Sequence, residues 1–225
     1  MKPQSLTVTG RILKYAQGAG RGSVFTPSDF VDIASRASVD QALSRLVKAG
    51  KLRRLARGLY DFPEIHAKLG ALAPSPDVVA RALARETGSV IQIAGARAAN
   101  ALGFSTQVPA KNTYLTDGPP RRVVLGKRVI DLRHAAPKHL VAPGSAAGTV
   151  MQALRHLGPT RATDIVDVAS QRLSIGDKKL LGKILGQAPA WMRPALLSIA
   201  QGSARLKDDR QTPFGEAGAA NIVCG

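Results

Sequence analysis

The sequence has a single cysteine among its 225 residues, Cys224, beside the C-terminus. This excludes a disulfide framework and a cysteine-based metal site. Aromatic residues make up only 4%, so the core must be built mainly from Leu, Val, Ile and Ala. No run approaches the roughly 18 apolar residues of a membrane span. The N-terminal segment lacks the apolar core of a signal peptide, so we expect a cytoplasmic protein without a membrane partner.

Acidic residues are also scarce. Lys and Arg number 32 against 15 Asp and Glu, which gives a formal net charge of +17. A field of this sign attracts polyanions, either nucleic acid or an anionic membrane surface. Membrane binding requires a concentrated polybasic run beside an apolar helix face, whereas here the basic residues are dispersed. The excess is densest in the first 62 residues, where eleven basic residues stand against four acidic ones.

The N-terminal segment has the pattern of a helix-turn-helix. A first helix is predicted over residues 5–17. Thr26, Pro27 and Asp29 supply the cap, the proline and the acidic residue that begin a further helix, with Phe30 on its buried side. Ser38 is predicted to cap the next helix, which ends at a glycine, Gly50. Two short helices with a tight connection, the second ending in glycine, are typical of a helix-turn-helix.

A basic hairpin is predicted directly after this motif, over residues 51–63. Leu55, Leu59 and Phe62 are expected to pack inward and its arginines to project outward, with Arg57–Gly58 at the tip. Side chains of these types reach base edges and phosphates in DNA grooves. The predicted DNA-contacting residues of the last helix and the hairpin are Arg36, Gln41, Ser44, Arg45, Lys48, Arg53, Arg54 and Arg57. We therefore predict a winged helix-turn-helix over residues 1–64 that binds double-stranded DNA.

The remaining chain is predicted to complete an α+β protein. Residues 66–73 are helical or linking, and a mixed α/β domain follows over residues 74–140, beginning with a helix capped by Asp77. This domain contains a strand over residues 90–93, a helix of small residues over 94–103, a strand over 113–116 and a β-hairpin over 121–132. Helical patterns fill residues 145–201 and predict a small bundle, with Thr163 and Ser174 as caps. Residues 202–225 lack apolar periodicity and are expected to form a flexible tail.

Several segments of the middle domain resemble the AbiEi-type antitoxins. The first is the run Ile-Ala-Gly-Ala-Arg-Ala-Ala-Asn-Ala-Leu-Gly-Phe over residues 93–104. It continues with Thr-Gln-Val-Pro-Ala-Lys over residues 106–111 and Thr-Tyr-Leu-Thr-Asp-Gly over 113–118, and Ile-Asp-Leu-Arg-His-Ala over 130–135 ends the hairpin. In that family a winged helix precedes a mixed α/β domain, the same order as predicted here. The resemblance covers about residues 5–200.

This resemblance implies a role in a type IV toxin–antitoxin operon of bacterial phage defence. Such an antitoxin represses its own promoter through the winged helix, at inverted repeats, and its later domain counteracts a nucleotidyltransferase-like toxin. Stable binding of the toxin is not required in this type of system. The resemblance implies no catalytic residue set.

Two other functions remain open on the sequence. The winged helix also occurs as an interaction module, here for an acidic protein or an RNA. Asp117, Asp131 and Lys127 loosely imitate a metal-dependent nuclease site. Against an enzyme, His134 and His139 lack carboxylate partners at metal-ligand spacing, and no glycine-rich phosphate-binding signature is present. We expect no catalytic residue, cofactor or metal.

Overall fold

The computed structural model describes residues 7–104 and 111–202 and has an α+β architecture. Its first part contains two helices and a three-stranded sheet: α1 (Val8–Ala19), β1 (Val24–Phe25), α2 (Arg36–Lys48), β2 (Arg53–Ala56) and β3 (Leu59–Asp61). The strands pair antiparallel in the order β1–β3–β2. We call these elements the N-terminal unit. Its core is formed by apolar side chains from both helices and the sheet, including Ile12, Phe25, Phe30, Leu43 and Leu46.

Two helix starts in the N-terminal unit differ from the sequence prediction. The segment after Thr26 forms only a short 3₁₀ helix, Pro27–Phe30, although the carboxylate of Asp29 accepts the backbone N–H of Thr26 at 2.7 Å as a capping box requires. The cap of α2 is Ser35 and not Ser38, because the Ser35 hydroxyl accepts the N–H of Ser38 at 3.4 Å. The helix therefore begins at Arg36, two residues before the predicted cap. The predicted end is confirmed: Gly50 has a φ of 67°, a conformation that favours glycine.

The middle region contains a second, four-stranded sheet beside one long and one short helix. Its elements are β4 (Ile65–His66), β5 (Gly70–Ala71), α3 (Pro76–Glu86), β6 (Ile91–Ile93), α4 (Gly95–Ala101), β7 (Lys111–Thr116), β8 (Arg121–Leu125) and β9 (Arg128–His134). The sheet order is β6–β7–β9–β8, with β7 and β9 parallel and the other pairs antiparallel. The predicted strands and the β8–β9 hairpin are confirmed.

Two predictions in the middle region are wrong in detail. The helical alternative for residues 66–73 fails, since β4 and β5 form a small antiparallel hairpin there. The cap of α3 is Ser75, whose hydroxyl accepts the N–H of Val78 at 3.3 Å. Asp77 is the second residue of the helix, and its carboxylate accepts hydrogen bonds from Arg97 and Tyr114.

The C-terminal region is a helical bundle, as predicted. It consists of α5 (Ala146–Leu157), α6 (Ala162–Arg172), α7 (Ile175–Ile184) and α8 (Arg193–Gln201). Ser174 caps α7, as predicted, whereas Thr163 lies inside α6 and caps nothing. The expected flexible tail lies, apart from Gly202, outside the described residues. None of the helices in residues 7–104 and 111–202 is long and apolar enough to cross a bilayer.

The N-terminal unit shares a hydrophobic core with the middle region. Val24 of β1 and Leu59 of β3 are buried in one cluster with Leu83 of α3 and Val123 of β8. Arg85 of α3 reinforces this junction, because its guanidinium donates to Asp29 at 2.5 Å and to the carbonyl of Val24 at 3.1 Å. The hydrogen bond to Asp29 raises the pKa of Arg85, which favours the charged guanidinium. The two sheets are therefore fixed relative to each other through α3.

Candidate nucleic-acid interface

One face of α2 is polar, exposed and free of internal contacts. The opposite face buries Val39, Ala42, Leu43 and Leu46 in the core of the N-terminal unit. Residues at spacings of three, four and seven share one side of a helix. The predicted contact residues at these spacings are all exposed: Gln41, Ser44, Arg45 and Lys48. No described residue forms a hydrogen bond or ion pair with these four side chains, so their polar groups face solvent.

Arg36 lies at the first turn of α2 and has an internal partner. Its Nε donates to the carboxylate of Asp40 at 3.1 Å, and the two side chains are 56% and 49% exposed. An exposed pair of this kind holds its members weakly. Arg36 is therefore available to a stronger anionic partner at little cost.

The hairpin formed by β2 and β3 presents two free arginines. Arg57 and Gly58 make the tip, where Gly58 has a φ of 70° that favours glycine. Arg54 and Arg57 are exposed, and neither is paired with an acidic residue in the described parts of the chain. Leu59 is fully buried, so the hairpin is anchored on its inner side as predicted.

Arg53 does not project outward as predicted. Its guanidinium donates to the two carboxylate oxygens of Asp61 at 3.1 and 2.5 Å, and to the carbonyl of Leu72 at 2.6 Å. The side chain of Asp61 is only 1% exposed, and a buried carboxylate requires a counter-charge and hydrogen bonds. Arg53 therefore joins β2, β3 and the segment after β5, and its role is internal.

Arg122 of β8 is an exposed arginine beside the hairpin that the sequence analysis did not select. A groove of about 470 Å³ separates the hairpin tip from β8. It is lined by residues of α2, the hairpin, α3 and β8: Arg36, Ala56, Arg57, Gly58, Glu86, Arg121, Arg122, Val123 and Val124. Strand alternation in the sequence could have identified Arg122. If apolar Val123 faces the core, as it does in the structure, its neighbour Arg122 must point the other way.

The residues considered for a nuclease site do not come together. Asp117 accepts the backbone N–H of Val90 at 2.9 Å, and Asp131 is paired with Arg133 at 2.9 Å. The register of β7 against β9 places the two acids about four residues apart along the strands, roughly 13 Å. Lys127 lies in the turn of the β8–β9 hairpin. Within the described residues, no three potential metal ligands cluster.

The two histidines considered with them lie apart from any carboxylate cluster. His134 makes a hydrogen bond of 3.1 Å between its Nδ1 and the carbonyl of Gly118. Burial, with the charges of Arg155 and Lys138, lowers the pKa of His139. The lowered pKa favours the neutral imidazole.

The segment that carries the family resemblance contributes to the interior. Arg97 of α4 donates to Asp77 at 2.5 Å and also hydrogen-bonds Asn112. The hydroxyl of Tyr114 donates to the same carboxylate at 2.7 Å, and the Arg97 guanidinium lies 5.3 Å from the centre of the Tyr114 ring. These contacts join α3, α4 and β7. Residues 105–110 of the resembling segment lie outside the described residues.

Comparison with known proteins identifies the family but no activity. The model of a family of unknown function, DUF6088, matches residues 11–179, so the chain belongs to this family. No match is found among curated proteins. Among solved structures, the chain is similar to the RV2827C protein from Mycobacterium tuberculosis, with 19% identity, a TM-score of 0.42, and coverage of 87% of this chain and 79% of that one. At this level of similarity, functional interpretation depends on the geometry of the chain itself.

Proposed function

We propose that this member of the DUF6088 family binds double-stranded DNA through its N-terminal unit, which acts as a winged helix-turn-helix. In this proposal α2 is the recognition helix and the β2–β3 hairpin is the wing. The observation that carries it is the exposed face of α2, where Gln41, Ser44, Arg45 and Lys48 have no described internal partner. Polar side chains on one face of a helix, without a structural task, fit base edges and phosphates of a major groove.

The hairpin supports the same proposal. Arg57 at its tip and Arg36 at the start of α2 line one groove, so the hairpin and α2 lie side by side, as a wing beside a recognition helix would. Arg54 and Arg57 would contact phosphates or the minor groove flanking the helix. Arg53 is left out of this contact set because Asp61 already binds it. Arg36 is retained, since its pair with Asp40 is exposed.

The operon context comes from the resemblance to the AbiEi-type antitoxins. On that basis we propose an antitoxin and autorepressor of a type IV toxin–antitoxin system, acting in the cytoplasm on inverted repeats of its own promoter. It would counteract a nucleotidyltransferase-like toxin without needing a stable complex. Its action in this proposal is binding and not catalysis. The free arginines support the DNA-binding part, and the toxin relation has only the resemblance behind it.

A mobility-shift titration on the protein's own promoter, repeated over a salt series, tests the DNA-binding proposal. Each phosphate contact contributes about 0.9 to the slope of log affinity against log salt. Arg45→Ala should cost about 1–3 kcal/mol on the promoter and less on random DNA if Arg45 contacts a base edge. Replacing Arg45, Arg54 and Arg57 together by Gln should abolish promoter binding at physiological salt.

A second triple variant controls for the loss of charge alone. Lys178, Lys179 and Lys183 lie on α7 of the bundle, and replacing them by Gln also removes three positive charges, but away from α2 and the hairpin. This control should retain the promoter affinity. Absence of binding by the wild-type protein at low salt, or equal binding by the two triple variants, would overturn the proposal. Capture of an acidic protein or an RNA without promoter binding would favour the interaction module instead.

A further inference from the structure

We propose that the groove between the β2–β3 hairpin and β8 is a second phosphate-binding site, which takes the DNA backbone flanking the wing. Arg57 stands on the hairpin wall and Arg122 on the wall formed by β8. This inference rests on the proposed DNA binding and extends the contact surface beyond the helix-turn-helix. It assigns a DNA contact to the second sheet, which the motif itself does not include.

The charges in the groove favour a phosphate. Arg121 is bound to Glu86, the acid that lines the same groove, so this pair leaves no net charge. Arg122 is exposed and has no partner among the described residues. Its neighbour across the strands is Asp131, and that carboxylate is paired with Arg133 at 2.9 Å. The guanidinium of Arg122 is therefore free for an external anion.

The groove is preorganised by the core beneath it. Val123, adjacent to Arg122, is buried in the cluster that also contains Leu59 of the hairpin and Leu83 of α3. Arg85 joins the end of α3 to Asp29 of the N-terminal unit. The spacing between the two walls is thus set by packing, which reduces the ordering cost of a contact that spans both of them.

The ligand chemistry follows from the groups that line the groove. Guanidinium groups bind phosphate oxygens through paired hydrogen bonds. Among the lining residues, only the arginines and Glu86 carry long polar side chains. This composition favours recognition of a sugar–phosphate backbone independent of base sequence. The occupant is the same duplex that α2 binds, at the phosphates next to the wing.

Two arginines of one hairpin provide a matched test. Arg122→Gln and Arg128→Gln remove the same charge from β8 and β9. Arg128 lines a different cavity, beside Pro76, and its register partner Leu125 lies three residues from Arg122 along β8, roughly 10 Å away. Arg122→Gln should lower the salt slope by about one and weaken promoter and random DNA by the same factor. Arg128→Gln should leave the slope unchanged.

Hydroxyl-radical footprinting gives an independent readout. The wild-type and Arg128→Gln proteins should protect backbone positions flanking the wing that Arg122→Gln leaves open. Equal slopes and equal footprints for the two variants would overturn the inference. If that result occurs while the triple variant of Arg45, Arg54 and Arg57 still loses binding, only the second phosphate-binding site is contradicted and the DNA-binding proposal stands. Failure of the wild-type protein to bind at all would instead overturn the DNA-binding proposal itself.

Glu86→Gln should raise the DNA affinity, whereas Arg122→Gln should lower it. It removes the carboxylate that binds Arg121, so a second guanidinium becomes free in the groove. Tighter DNA binding and a steeper salt slope are expected. Loss of folding would lower affinity, so a gain cannot arise from damage to the structure. A Glu86→Gln protein that keeps its thermal unfolding transition but binds no tighter would contradict the inference.

Discussion

Arginine serves different purposes in two neighbouring regions of this molecule. Around α3, arginines meet carboxylates from other elements and join them. These pairs are Arg85–Asp29, Arg97–Asp77 and Arg121–Glu86. On the surface formed by α2 and the β2–β3 hairpin, Arg45, Arg54 and Arg57 have no acidic partner among the described residues. The net charge of +17 therefore does not by itself indicate a candidate interface, whereas unpaired arginines beside an exposed helix face do.

This difference also separates two kinds of energetic contribution. Removing a guanidinium that joins two elements destabilises the fold most where its acid partner is buried, as Asp29 is at 5% exposure. An unpaired surface guanidinium contributes little to folding and stays available for a phosphate. Substitution should therefore lower stability in the first class and DNA affinity in the second.

Arg53 and Arg54 are the sharpest test, since they are adjacent in β2 but belong to different classes. Arg53→Met should lower the free energy of unfolding by about 3–5 kcal/mol, because it leaves the carboxylate of Asp61 buried without a counter-charge. Chemical denaturation followed by circular dichroism measures this loss. The carbonyl of Leu72 also loses a donor, so β2 and the segment after β5 should loosen together.

Arg54→Met is the matched control for that substitution. It makes the same chemical change one residue away, at an exposed side chain. The free energy of unfolding should stay within about 0.5 kcal/mol of the wild-type value, while promoter affinity falls. Equal destabilisation by the two variants would erase the distinction between joining and free arginines in the hairpin.

Tyr114 tests the region around α3 through pH. Burial, with its hydrogen bond to Asp77, raises the pKa of the Tyr114 hydroxyl above its usual value. Tyr114→Phe should cost about 1–2 kcal/mol of stability, because Asp77 loses a donor but keeps Arg97. Promoter binding at neutral pH should not change.

The sign of the pH dependence follows from the raised pKa. The native protein holds the phenolic proton more tightly than the unfolded chain, whose tyrosines titrate near a pKa of about 10. The contribution of Tyr114 is therefore complete below pH about 10 and is lost as the pH rises further. The stability difference between wild type and Tyr114→Phe should shrink above that pH. A stability difference between the two proteins that stays constant up to pH about 11 would show that it does not come from the Tyr114 hydroxyl.

Much of the secondary structure was predictable because its signals are local. The strands over residues 90–93, 113–116 and 121–132 and the four helices of the bundle follow from periodicity and turn residues. The parallel pairing of β7 with β9 was not predictable, because no turn connects two parallel strands and the pairing depends on the whole sheet. Burial of Leu59 was expected, but its partner Leu83 lies on a helix far along the chain.

The predicted starts of α2 and α3 were wrong because two candidate capping residues lie close together at each of them. Ser35 and Ser38 both precede the apolar stripe of α2, and the choice depends on which residue has extended backbone geometry. Ser75 and Asp77 flank Pro76, and here the preference of proline for the first helical position favours Ser75. That rule was available from the sequence alone.

The candidate interface was predictable by face but not residue by residue. Helical spacing correctly placed the exposed positions of α2, because the apolar stripe defines the opposite side. In the hairpin, strand alternation alone separates Arg53 from Arg54 but does not say which of them points inward. The deciding feature is Asp61, an acid within the buried strand β3 that requires a cation opposite it.

Asp40 gives the smallest effect and the finest test of the α2 face. Its pair with Arg36 is exposed, so Asp40→Asn should cost no more than about 0.5 kcal/mol of stability. The substitution frees Arg36 and removes a negative charge from the proposed DNA-binding face, so promoter affinity should rise, most at low salt. Asp164→Asn is the control, because its exposed pair with Arg161 at 3.1 Å lies on the bundle. If both variants raise affinity equally, the overall charge and not the position on α2 determines binding.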